Sequence, residues 1–600
     1  MTRGLLLIAV LAAGCGRQSD PVFLDLAATF SDSLASGARA QPTTIRLGSG
    51  AHPAIVVPGD GGFRARMVVP PGARLRFAPM LPEGVAGGGD VRFSVAVRTR
   101  GRSPEMLWET RKTTRSRRLG EVTIDLARYA GASVELWFES LSPLADDVPG
   151  GWGVWVAPRV TSAVRPRGSS SLVLITVDAL RADRLGCYGD SLGRTPVIDG
   201  LAARGALFSR AFTAFNVTNP SLATLFTGLY GREHRVYNLN TPLEQRFTTM
   251  AEMLKGYGYR TAAVVSARHI APDLSGLAQG FDSFQAPAEG EWRADEVTAR
   301  ASDWLGGQGI HPFFLWVHYF DPHMLYTPPD SFARLFAPEG PVRPGARSLA
   351  DSLSTRSDLT HHGPVGAQWL AGMSNPAYPE AMYRGEVAFV DQQIGRLLAT
   401  LRGRLLESKT LIVLTADHGE SMGEHDIYFD HIGLYRPQVH IPLIFYAPGL
   451  VPQGVRRDDV ISTVDFLPTI SDLLSIAPSP EVGGFSFGRT ILEGAPGERD
   501  LVIVQHADHR AATMRTPFWS LQRAWLPYSV VQVDTMFFDL MADPEELNNR
   551  SGADPRTHRM LTELQDWMDR ARVGKAPAVS MDEATRRHLV TLGYLHEGPA

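Results

Sequence analysis

Side chains that can bind metals or transfer protons gather directly after three apolar runs of this 600-residue chain. In chain order they are Asp178 after LVLITV, then His318, Asp321 and His323 in PFFLWVHYFDPH, then Asp417 and His418 after TLIVLTA. A lone Asp after a strand is usually a turn residue or a helix cap. Several carboxylates and imidazoles that meet at one place are costly unless they are paired or metal-bound. Oxygen ligands with an imidazole suit Ca²⁺, Mg²⁺ or Mn²⁺, and Zn²⁺ also accepts them.

The apolar runs have the composition of buried strands. LVLITV, TAAVVSA, PFFLWVH, TLIVLTA and HIPLIFYA are separated by helical stretches such as MYRGEVAFVDQQIGRLLATLRGRLLES. This alternation predicts an α/β domain with a largely parallel sheet. In such sheets ligands bind beyond the carboxyl ends of the strands, so we expect the polar residues to meet there.

A different pattern occupies the segment before this domain. Between residues 43 and 164, short apolar or alternating segments such as VRFSVAVRT and SVELWFES are broken by Gly and Pro. This spacing predicts a β-sandwich. The segment RPRGSSS has the composition of a linker, so we expect the α/β domain over residues 170–600. The sandwich carries no catalytic constellation, and its sequence suits either support or ligand contact.

The first fifteen residues, MTRGLLLIAVLAAGC, have the pattern of an export signal. Arg3 precedes an apolar run that is too short to span a bilayer, and small residues precede Cys15. The segment resembles a bacterial lipoprotein signal, in which Cys15 becomes the lipidated N-terminus. We therefore predict a signal over residues 1–15, a partly helical tether over residues 16–42, and an exported, membrane-anchored protein in the periplasm or at the cell surface. A buried N-terminal helix is the alternative.

Composition excludes two classes of protein. A net charge of -4 argues against a nucleic-acid-binding protein, which has a concentrated basic surface. Two cysteines, Cys15 and Cys187, cannot form a disulfide framework for a chain of this length, and Cys187 is interpreted as a buried small residue.

Motifs from about residue 170 to the C-terminus resemble the sulfatase family of the alkaline phosphatase superfamily. In order they are VDALRADRLGCYG, PSLATLFTGLY, GLAQGFDSF, VHYFDPHMLYTPP, YRGEVAFVDQQIGRLL, TADHGESMGEHDIYFDH, HIPLIFYAPG, FFDLMADPEELNN and LVTLGYL. The resemblance implies an alkaline phosphatase/sulfatase-like mixed sheet flanked by helices. It also implies an enzyme that acts on sulfuric or phosphoric esters.

The resemblance assigns one divalent metal ion to the strand ends. Asp178, Asp417 and His418 match the family's metal positions, and Thr218 would supply the nucleophile oxygen. Many family members have a second Asp where this chain has Ala179. The ion is Ca²⁺, Mg²⁺, Mn²⁺ or Zn²⁺, and it would polarise the ester and lower the pKa of the nucleophile.

Other positions resemble the groups that act on the substrate. His323 and His431 match residues that contact sulfate or phosphate oxygens and protonate the leaving group, and many sulfatases have Lys where this chain has His431. Arg181 either orients the nucleophile or forms a structural ion pair. His318 fits a structural role, or a place directly behind the metal ligands, better than a catalytic role. His425 is interpreted as part of the loop scaffold.

The nucleophile loop departs from the sulfatase pattern. Sulfatases have Cys or Ser, then any residue, Pro, Ser and Arg, and oxidise the first residue to formylglycine. Here those positions fall on TNPSL, so Thr218 and Leu222 replace the two determinants of the modification, and no formylglycine is expected. Nucleotide pyrophosphatase/phosphodiesterases of the same superfamily use a Thr there, with TGLY closing the loop, and His234 also fits their spacing. Ser221 is interpreted as structural.

Two functions are consistent with these residues. The first is a metal-dependent hydrolase or transferase of sulfate, phosphate or phosphonate esters with Thr218 as the nucleophile, acting on a small-molecule, glycan or lipid ester. The second is a catalytically inactive sulfatase-like protein that binds a sulfated or phosphorylated ligand. The insertion of residues 332–378, which carries His361 and His362, is expected to border the pocket.

Overall fold

A computed structural model describes most of the chain from residue 170 onward and, before it, mainly the strands. The described residues are 22–26, 35–37, 40–47, 50–70, 72–81, 91–99, 102–113, 120–130, 132–142, 152–162, 170–308, 311–337, 340–354, 367–476, 482–507, 511–524, 535–569 and 581–591. The chain divides into two compact units, Met1–Ala130 with Val134–Arg165, and Pro166–Ala600 with Gly131–Ser133. Cys15, residues 165–169 of the predicted linker RPRGSSS, and His361 with His362 lie outside the described residues.

The first unit consists of two antiparallel sheets. Its strands are β1 Val22–Asp25, β2 Ala35–Gly37, β3 Gln41–Leu47, β4 Gly50–Val57, β5 Gly61–Val68, β6 Ala73–Met80, β7 Val91–Thr99, β8 Glu105–Lys112, β9 Val122–Asp125, β10 Ser133–Leu141 and β11 Gly153–Ser162. One sheet has the order β3-β4-β11-β6-β9 with β1 paired to β11, and the other has the order β2-β5-β10-β7-β8.

An aromatic cluster fills the space between these sheets. Phe63 and Phe138 stack with ring centroids 4.5 Å apart, and Trp155 of the other sheet packs edge-on against Phe138 at 5.2 Å. All three rings are almost fully buried. Because each comes from an inward-facing strand position, the unit is a β-sandwich, as its alternating pattern predicts.

Two strands lie within residues 16–42, where the sequence predicted a partly helical tether. β1 pairs antiparallel with β11, and Val22 lies opposite Thr161. β2 pairs with β5, and Ala35 lies opposite Phe63. Backbone pairing with an existing sheet stabilises short strands whose own sequence carries little β signal. The sequence-based prediction therefore placed the start of the sandwich too late in the chain.

The second unit is built on a nine-stranded mixed sheet. Its strands are β12 Ser171–Val177, β13 Ala206–Phe212, β14 Arg260–Val265, β15 Ser283–Gln285, β16 Phe313–Tyr319, β17 Thr410–Ala416, β20 His440–Ile441, β21 Leu443–Tyr446 and β22 Val455–Ser462. The order is β15-β14-β16-β12-β17-β21-β13-β20, and β22 pairs with β13. A separate hairpin joins β18 Ser421–Met422 to β19 Tyr428–Asp430.

The centre of this sheet is parallel, as the apolar runs predict. β12 pairs in parallel with β16 and with β17, and every residue of the three strands is buried. β21 joins β17 antiparallel, which makes the sheet mixed. Val177 lies opposite Ala416, so Asp178 and Asp417, the next residues along each strand, follow at the same edge of the sheet.

Helices cover this sheet and connect its strands. They are Pro196–Arg204, Thr218–Thr227, Gly231–His234, Met250–Gly256, Pro272–Ser275, Ala294–Gly306, Asp330–Phe336, Leu349–Ser354, Ala377–Gly403, Arg436–Val439, Phe466–Leu473, Gly488–Glu493, Arg556–Asp569 and Glu583–Thr591. The helix predicted over residues 382–408 runs instead over Ala377–Gly403, because Leu405 has a φ of 58 that no α-helix accommodates. Among the described residues, none of the helices has both the length and the apolar character needed to cross a membrane.

A four-stranded antiparallel sheet completes the second unit. Its strands are β23 Val502–Gln505, β24 Ala511–Arg515, β25 Trp519–Ala524 and β26 Thr535–Asp539, in chain order across the sheet. One face packs on Leu564 of the helix Arg556–Asp569. The other face packs on residues of the loop that follows β19, including Ile432 and Leu434.

Candidate active site

Asp178, Asp417 and His418 converge at the carboxyl ends of β12 and β17. His418 Nε2 lies 3.4 Å from Asp178 Oδ1 and 3.6 Å from Asp417 Oδ2. The other ring nitrogen, Nδ1, donates to the Gly419 carbonyl at 2.9 Å. A carbonyl accepts only, so this bond places the proton on Nδ1 and presents the Nε2 lone pair to the carboxylates. All three side chains are fully buried.

Thr218 is the first residue of the helix Thr218–Thr227, and its hydroxyl lies in this cluster. Oγ1 lies 3.5 Å from Asp178 Oδ2 and 3.3 Å from His418 Nε2. Val217 is extended immediately before the helix, and Gly228 closes it with a φ of 64. Every residue of the helix is buried, so the hydroxyl has a fixed place. The structure thus brings together the four residues that the sequence assigned to one ion.

The chemistry of this cluster fits a divalent cation. Among the described residues, Asp178 Oδ1 and Asp417 Oδ2 are buried and accept no hydrogen bond. Burial raises the pKa of Asp178 well above its usual value, and the neighbouring Asp417 and Glu420 raise it further. Adjacent buried carboxylates are costly without a cation between them, so Asp178, Asp417, His418 and Thr218 would hold a metal ion.

A second imidazole lies beside the same carboxylate. His318 Nε2 is 3.5 Å from Asp178 Oδ2, and His318 Nδ1 is 2.8 Å from the Thr176 hydroxyl, which also accepts the Trp316 indole N–H at 2.9 Å. Burial lowers the pKa of His318 to about 4. The sequence predicted a structural role for His318 or a place directly behind the metal ligands, and its contacts with Thr176 and Asp178 fit both.

His323 and His431 face His418. The ring centroids of His418 and His431 are 4.3 Å apart, and those of His323 and His431 are 5.5 Å apart. His323 Nδ1 donates to the Met324 carbonyl at 2.8 Å, and His431 Nδ1 donates to the Asn216 carbonyl at 2.7 Å. These bonds hold both rings in one orientation and one tautomer.

This tautomer constrains what the two histidines can do. In the neutral imidazole the proton is on Nδ1, so Nε2 accepts rather than donates. Burial, and secondarily the neighbouring His418, lower the pKa of both His323 and His431 well below the usual value. The proton donation to the leaving group that the resemblance implies requires the charged form, which this environment disfavours.

Arg181 forms ion pairs rather than contacts with the nucleophile. Its guanidinium donates twice to Asp183, at 2.9 and 2.7 Å, and once to Glu424 at 2.7 Å. A further N–H reaches the Glu420 carbonyl at 3.1 Å. The structural ion pair, the alternative to an orienting role on Thr218, is therefore the role that these contacts support.

Sequence reasoning missed two residues at the site. Asn216 is fully buried, and its amide donates to the carbonyls of His431 and Gly433 at 2.8 and 3.1 Å. His269 lies just beyond β14, with its ring 6.4 Å from Phe320, which stacks at 4.7 Å on His323. His269 follows the run TAAVVSA, so the strand-end rule that found Asp178 could have found it.

The remaining candidates support the loops around the site. Ser221 donates to the Asp417 carbonyl at 2.7 Å. His234 is hydrogen-bonded at 3.0 Å to the hydroxyl of Thr224, which belongs to the helix Thr218–Thr227. His425 stacks on Tyr435 with centroids 3.7 Å apart. Ala179 adopts a φ of 54 directly after Asp178. These residues hold the loops around the site in place, and none of them is assigned a part in the reaction.

Comparison with known families agrees with this geometry. The family model described as Sulfatase matches residues 170–476, and the model described as N-sulphoglucosamine sulphohydrolase, C-terminal, matches residues 423–574. The Delta 4,5-hexuronate-2-O-sulfatase of Bacteroides thetaiotaomicron is 25% identical over 473 residues, which are 73% of this chain and 97% of that protein.

Two solved structures share the fold. The phosphonate monoester hydrolase of Agrobacterium radiobacter superposes with a TM-score of 0.54 at 23% identity, over 67% of this chain and 95% of its own. A protein solved in complex with its substrate D-glucosamine-2-N,6-O-disulfate superposes with a TM-score of 0.57 at 21% identity, over 68% of this chain and 98% of its own.

Proposed function

Because this chain belongs to the sulfatase family, we propose that it is a metal-dependent ester hydrolase, or transferase, in which Thr218 replaces formylglycine as the nucleophile. The observation that supports this most strongly is the position of Thr218 Oγ1, 3.5 Å from Asp178 and 3.3 Å from His418. A hydroxyl beside buried metal ligands is a recognised nucleophile once a neighbouring group accepts its proton.

Each group of the site has a separate role in the proposed reaction. A divalent ion on Asp178, Asp417 and His418 would polarise an ester oxygen and favour the deprotonated Thr218 hydroxyl. Asp178 Oδ2 is the oxygen toward which that hydroxyl donates. The buried helix Thr218–Thr227 holds Oγ1 in place, which removes orientational entropy from the reaction. His323 and His431 lie beside the ring of His418, with ring centroids 6.1 and 4.3 Å from it.

The substrate we propose is an anionic ester of sulfuric, phosphoric or phosphonic acid. Relatives of the chain include a hexuronate sulfatase and a fold neighbour that is a phosphonate monoester hydrolase. Sulfate esters and phosphonate monoesters both carry a tetrahedral oxyanion next to the bond that breaks. Such an anion suits a site whose buried carboxylates are neutralised by a cation. A sulfated glycan is one source of this ester and a small phosphonate is another.

One observation favours the alternative of a binding protein without turnover. Leu222 is fully buried in the helix, at the position where sulfatases carry the Arg of their loop. An inactive protein would bind sulfated sugars or aryl phosphonates without releasing product. We place hydrolysis first because Thr218 lies among the metal ligands.

The experiment that decides between them is hydrolysis of four nitrophenyl substrates, the sulfate, phosphate, phosphodiester and phenylphosphonate, with added Ca²⁺, Mg²⁺, Mn²⁺ or Zn²⁺. Wild type should turn over at least one of them, Thr218→Ala should lose that turnover, and Thr218→Ser should keep part of it because the hydroxyl is retained. Thr562→Ala, far along the chain in an exposed helix position, is the matched control. Metal-dependent turnover that persists in Thr218→Ala would refute the nucleophile.

We also propose that the protein is exported and anchored through a lipid on Cys15. The motif MTRGLLLIAVLAAGC supports this. A single acyl chain binds membranes weakly, whereas the several chains of a lipoprotein give stable anchoring. Wild type expressed in a bacterial host should incorporate labelled palmitate and sediment with membranes, and Cys15→Ala should do neither. Label in the Cys15→Ala chain, or wild type in the soluble fraction, would contradict the anchor.

A further inference from the structure

The motif FFDLMADPEELNN, residues 537–549, contributes none of the residues assigned to the site. Glu546 lies within it, almost fully buried, at a φ of 57. This left-handed conformation favours Gly or Asn, so a Glu is held there at a cost in backbone strain. Strain of this kind persists only where the surroundings over-determine the residue, so the contacts of the Glu546 carboxylate must compensate for it.

Both oxygens of the Glu546 carboxylate accept hydrogen bonds. Oε1 accepts an N–H of the Arg515 guanidinium and the Ser520 hydroxyl, each at 2.7 Å. Oε2 accepts the backbone N–H of Arg436 at 2.8 Å. Arg515 and Ser520 belong to β24 and β25, and Arg436 begins the helix Arg436–Val439. One buried carboxylate therefore fastens this helix to the C-terminal sheet.

The residues just before this helix rest on the same sheet. We call residues 431–438 the His431 segment. Its Ile432, Leu434 and Tyr435 pack in one core with apolar residues of the four strands β23 to β26. Apolar packing is non-directional, whereas a hydrogen bond to a backbone N–H restricts both distance and angle. The bond from Arg436 to Glu546 therefore fixes where along the sheet the segment sits.

The His431 segment also borders the metal ligands. The Gln438 carbonyl accepts the Gly419 N–H at 2.7 Å, and the Gly419 carbonyl accepts the Nδ1–H of His418 at 2.9 Å. A Cβ at Gly419 would lie 2.1 Å from the Pro437 carbonyl oxygen, so the two backbones are in direct contact. A shift of the segment would therefore move the ring of His418 as well as that of His431.

We propose that Glu546 is a positioning residue of the site. Its bond to Arg436 fixes the His431 segment, and the segment fixes the rings of His418 and His431 in the arrangement that the ester hydrolysis requires. This role in the reaction rests on the proposed function, whereas the position of the segment rests on the contacts alone. Removal of a group that orients a metal ligand from outside typically changes metal affinity or activity by roughly 10–100-fold.

Removal of the whole ion pair tests this role in a folded protein. A buried charge left without its partner is strongly destabilising, whereas replacement of both charges by apolar side chains of similar size is often neutral. The test protein is therefore the full chain with Glu546→Leu and Arg515→Met. Asp190→Leu with Arg384→Met removes another largely buried ion pair of the second unit and is the matched control. Among the described residues, neither Asp190 nor Arg384 is hydrogen-bonded to the His431 segment.

Amide hydrogen exchange, measured without substrate, reports on the segment itself. In the test protein, peptides that cover residues 431–440 should exchange at least about tenfold faster than in wild type, because the Arg436 N–H loses its acceptor. Peptides of β17 should exchange at the wild-type rate, and the control protein should match wild type in both regions. Equal exchange of residues 431–440 in the test protein and wild type would overturn the inference.

Turnover with saturating metal ion separates positioning from stability. In the test protein kcat should fall by roughly 10–100-fold, while KM stays within about threefold of wild type because no group that binds the ester is removed. Arg515→Lys keeps the Glu546 carboxylate and its bond to Arg436. This variant should retain most of kcat although its urea midpoint falls, because Lys lacks the planar fork of donors.

A purely structural role would make kcat follow the urea midpoint across these variants. A kcat in the test protein within about twofold of wild type, or an equal loss in Arg515→Lys, would therefore overturn the positioning role. If wild type turns over none of the esters, the proposed function fails, and the exchange of residues 431–440 still confirms or overturns the hold of Glu546 on the segment. The two proposals thus fail separately.

Discussion

Asn216 connects the nucleophile loop to the loop that carries His431. Its backbone carbonyl accepts the His431 Nδ1–H at 2.7 Å, and its amide donates to the carbonyls of His431 and Gly433. Two of these bonds span 215 positions of the sequence, and the third spans 217. A single residue therefore sets the orientation of an imidazole that belongs to a different part of the chain.

Substitution of Asn216 should lower turnover through the position of His431. Asn216→Ala loses the two hydrogen bonds that the amide donates. Asn216→Asp loses them too and places a carboxylate against two carbonyl oxygens, so Asn216→Asp should have the lower turnover. Outer-sphere changes of this kind typically cost roughly 10–100-fold in metal affinity or activity. The measurement is kcat/KM on the best substrate, with Asn548→Ala, an exposed position, as the control. Activity equal to wild type in Asn216→Asp would contradict the positioning role.

That Asp178, Asp417 and His418 meet at one edge of the sheet could be predicted from the sequence, and the tautomers of the histidines could not. Asp178, Asp417 and His418 follow apolar runs, so the strand-end rule locates them without any structure. The tautomers of His323 and His431 depend on carbonyl partners, one of them as distant as Asn216. The ion pairs of Arg181 with Asp183 and Glu424 also combine a local and a distant partner, and the motif DALRAD indicates only the first.

At the scale of elements, a buried carboxylate joins two helices. Asp391, in the helix Ala377–Gly403, accepts the backbone N–H groups of Val197 and Ile198 at 3.2 and 2.8 Å. These groups begin the helix Pro196–Arg204, where the first turn has no acceptor of its own. Asp391 thus caps a neighbouring helix from outside it.

The capping carboxylate should make stability depend on pH. Burial raises the pKa of Asp391 to about 7. A folded-state pKa above the unfolded value means that the folded chain holds the proton more tightly, so this stabilisation is complete below about pH 4 and is lost as the pH rises through about 7. Asp391→Asn stays neutral, so its stability relative to wild type should increase as the pH rises from about 4 to about 7.

The measurement is the urea midpoint of wild type and Asp391→Asn at pH 4.5 and pH 8. The difference between the two proteins should move in favour of the variant at the higher pH. Glu583→Gln, an exposed carboxylate in another helix, is the control that should show no such trend. A difference independent of pH would mean that Asp391 is ionised throughout.

The sequence predicts the central strands well because each is a continuous apolar run. TLIVLTA coincides with β17, and LVLITV lies within β12. The C-terminal sheet β23–β26 is harder to predict from sequence, because strands such as Ala511–Arg515 and Trp519–Ala524 are short and include polar residues. Their stability comes from packing against Leu564 and from each other, which a single-strand pattern does not contain.

At the scale of the whole molecule, every candidate site residue lies in the second unit. The nine-stranded sheet and its core also belong to residues 166–600. A unit with its own sheet and core is expected to fold on its own. The sandwich has a separate aromatic core around Trp155.

A chain truncated to residues 166–600 should therefore keep the metal content and the kcat/KM of the full protein on a small aryl ester. Calorimetry of the full chain should show two transitions, and the truncated chain should show one of them. Zinc counting and initial rates provide the comparison. A soluble truncated chain that binds no metal would show that the sandwich contributes to the site.

The burial of the helix Thr218–Thr227 has a consequence for biosynthesis. A sulfatase depends on a second enzyme that oxidises its nucleophile, and a helix buried along its whole length gives such an enzyme access only while the chain is still unfolded. In the function proposed above, the encoded Thr218 is itself the reactive group. On the proposed function, the nucleophile therefore needs no oxidation after translation. Expression hosts that lack the oxidising enzyme should therefore yield protein as active as hosts that contain it.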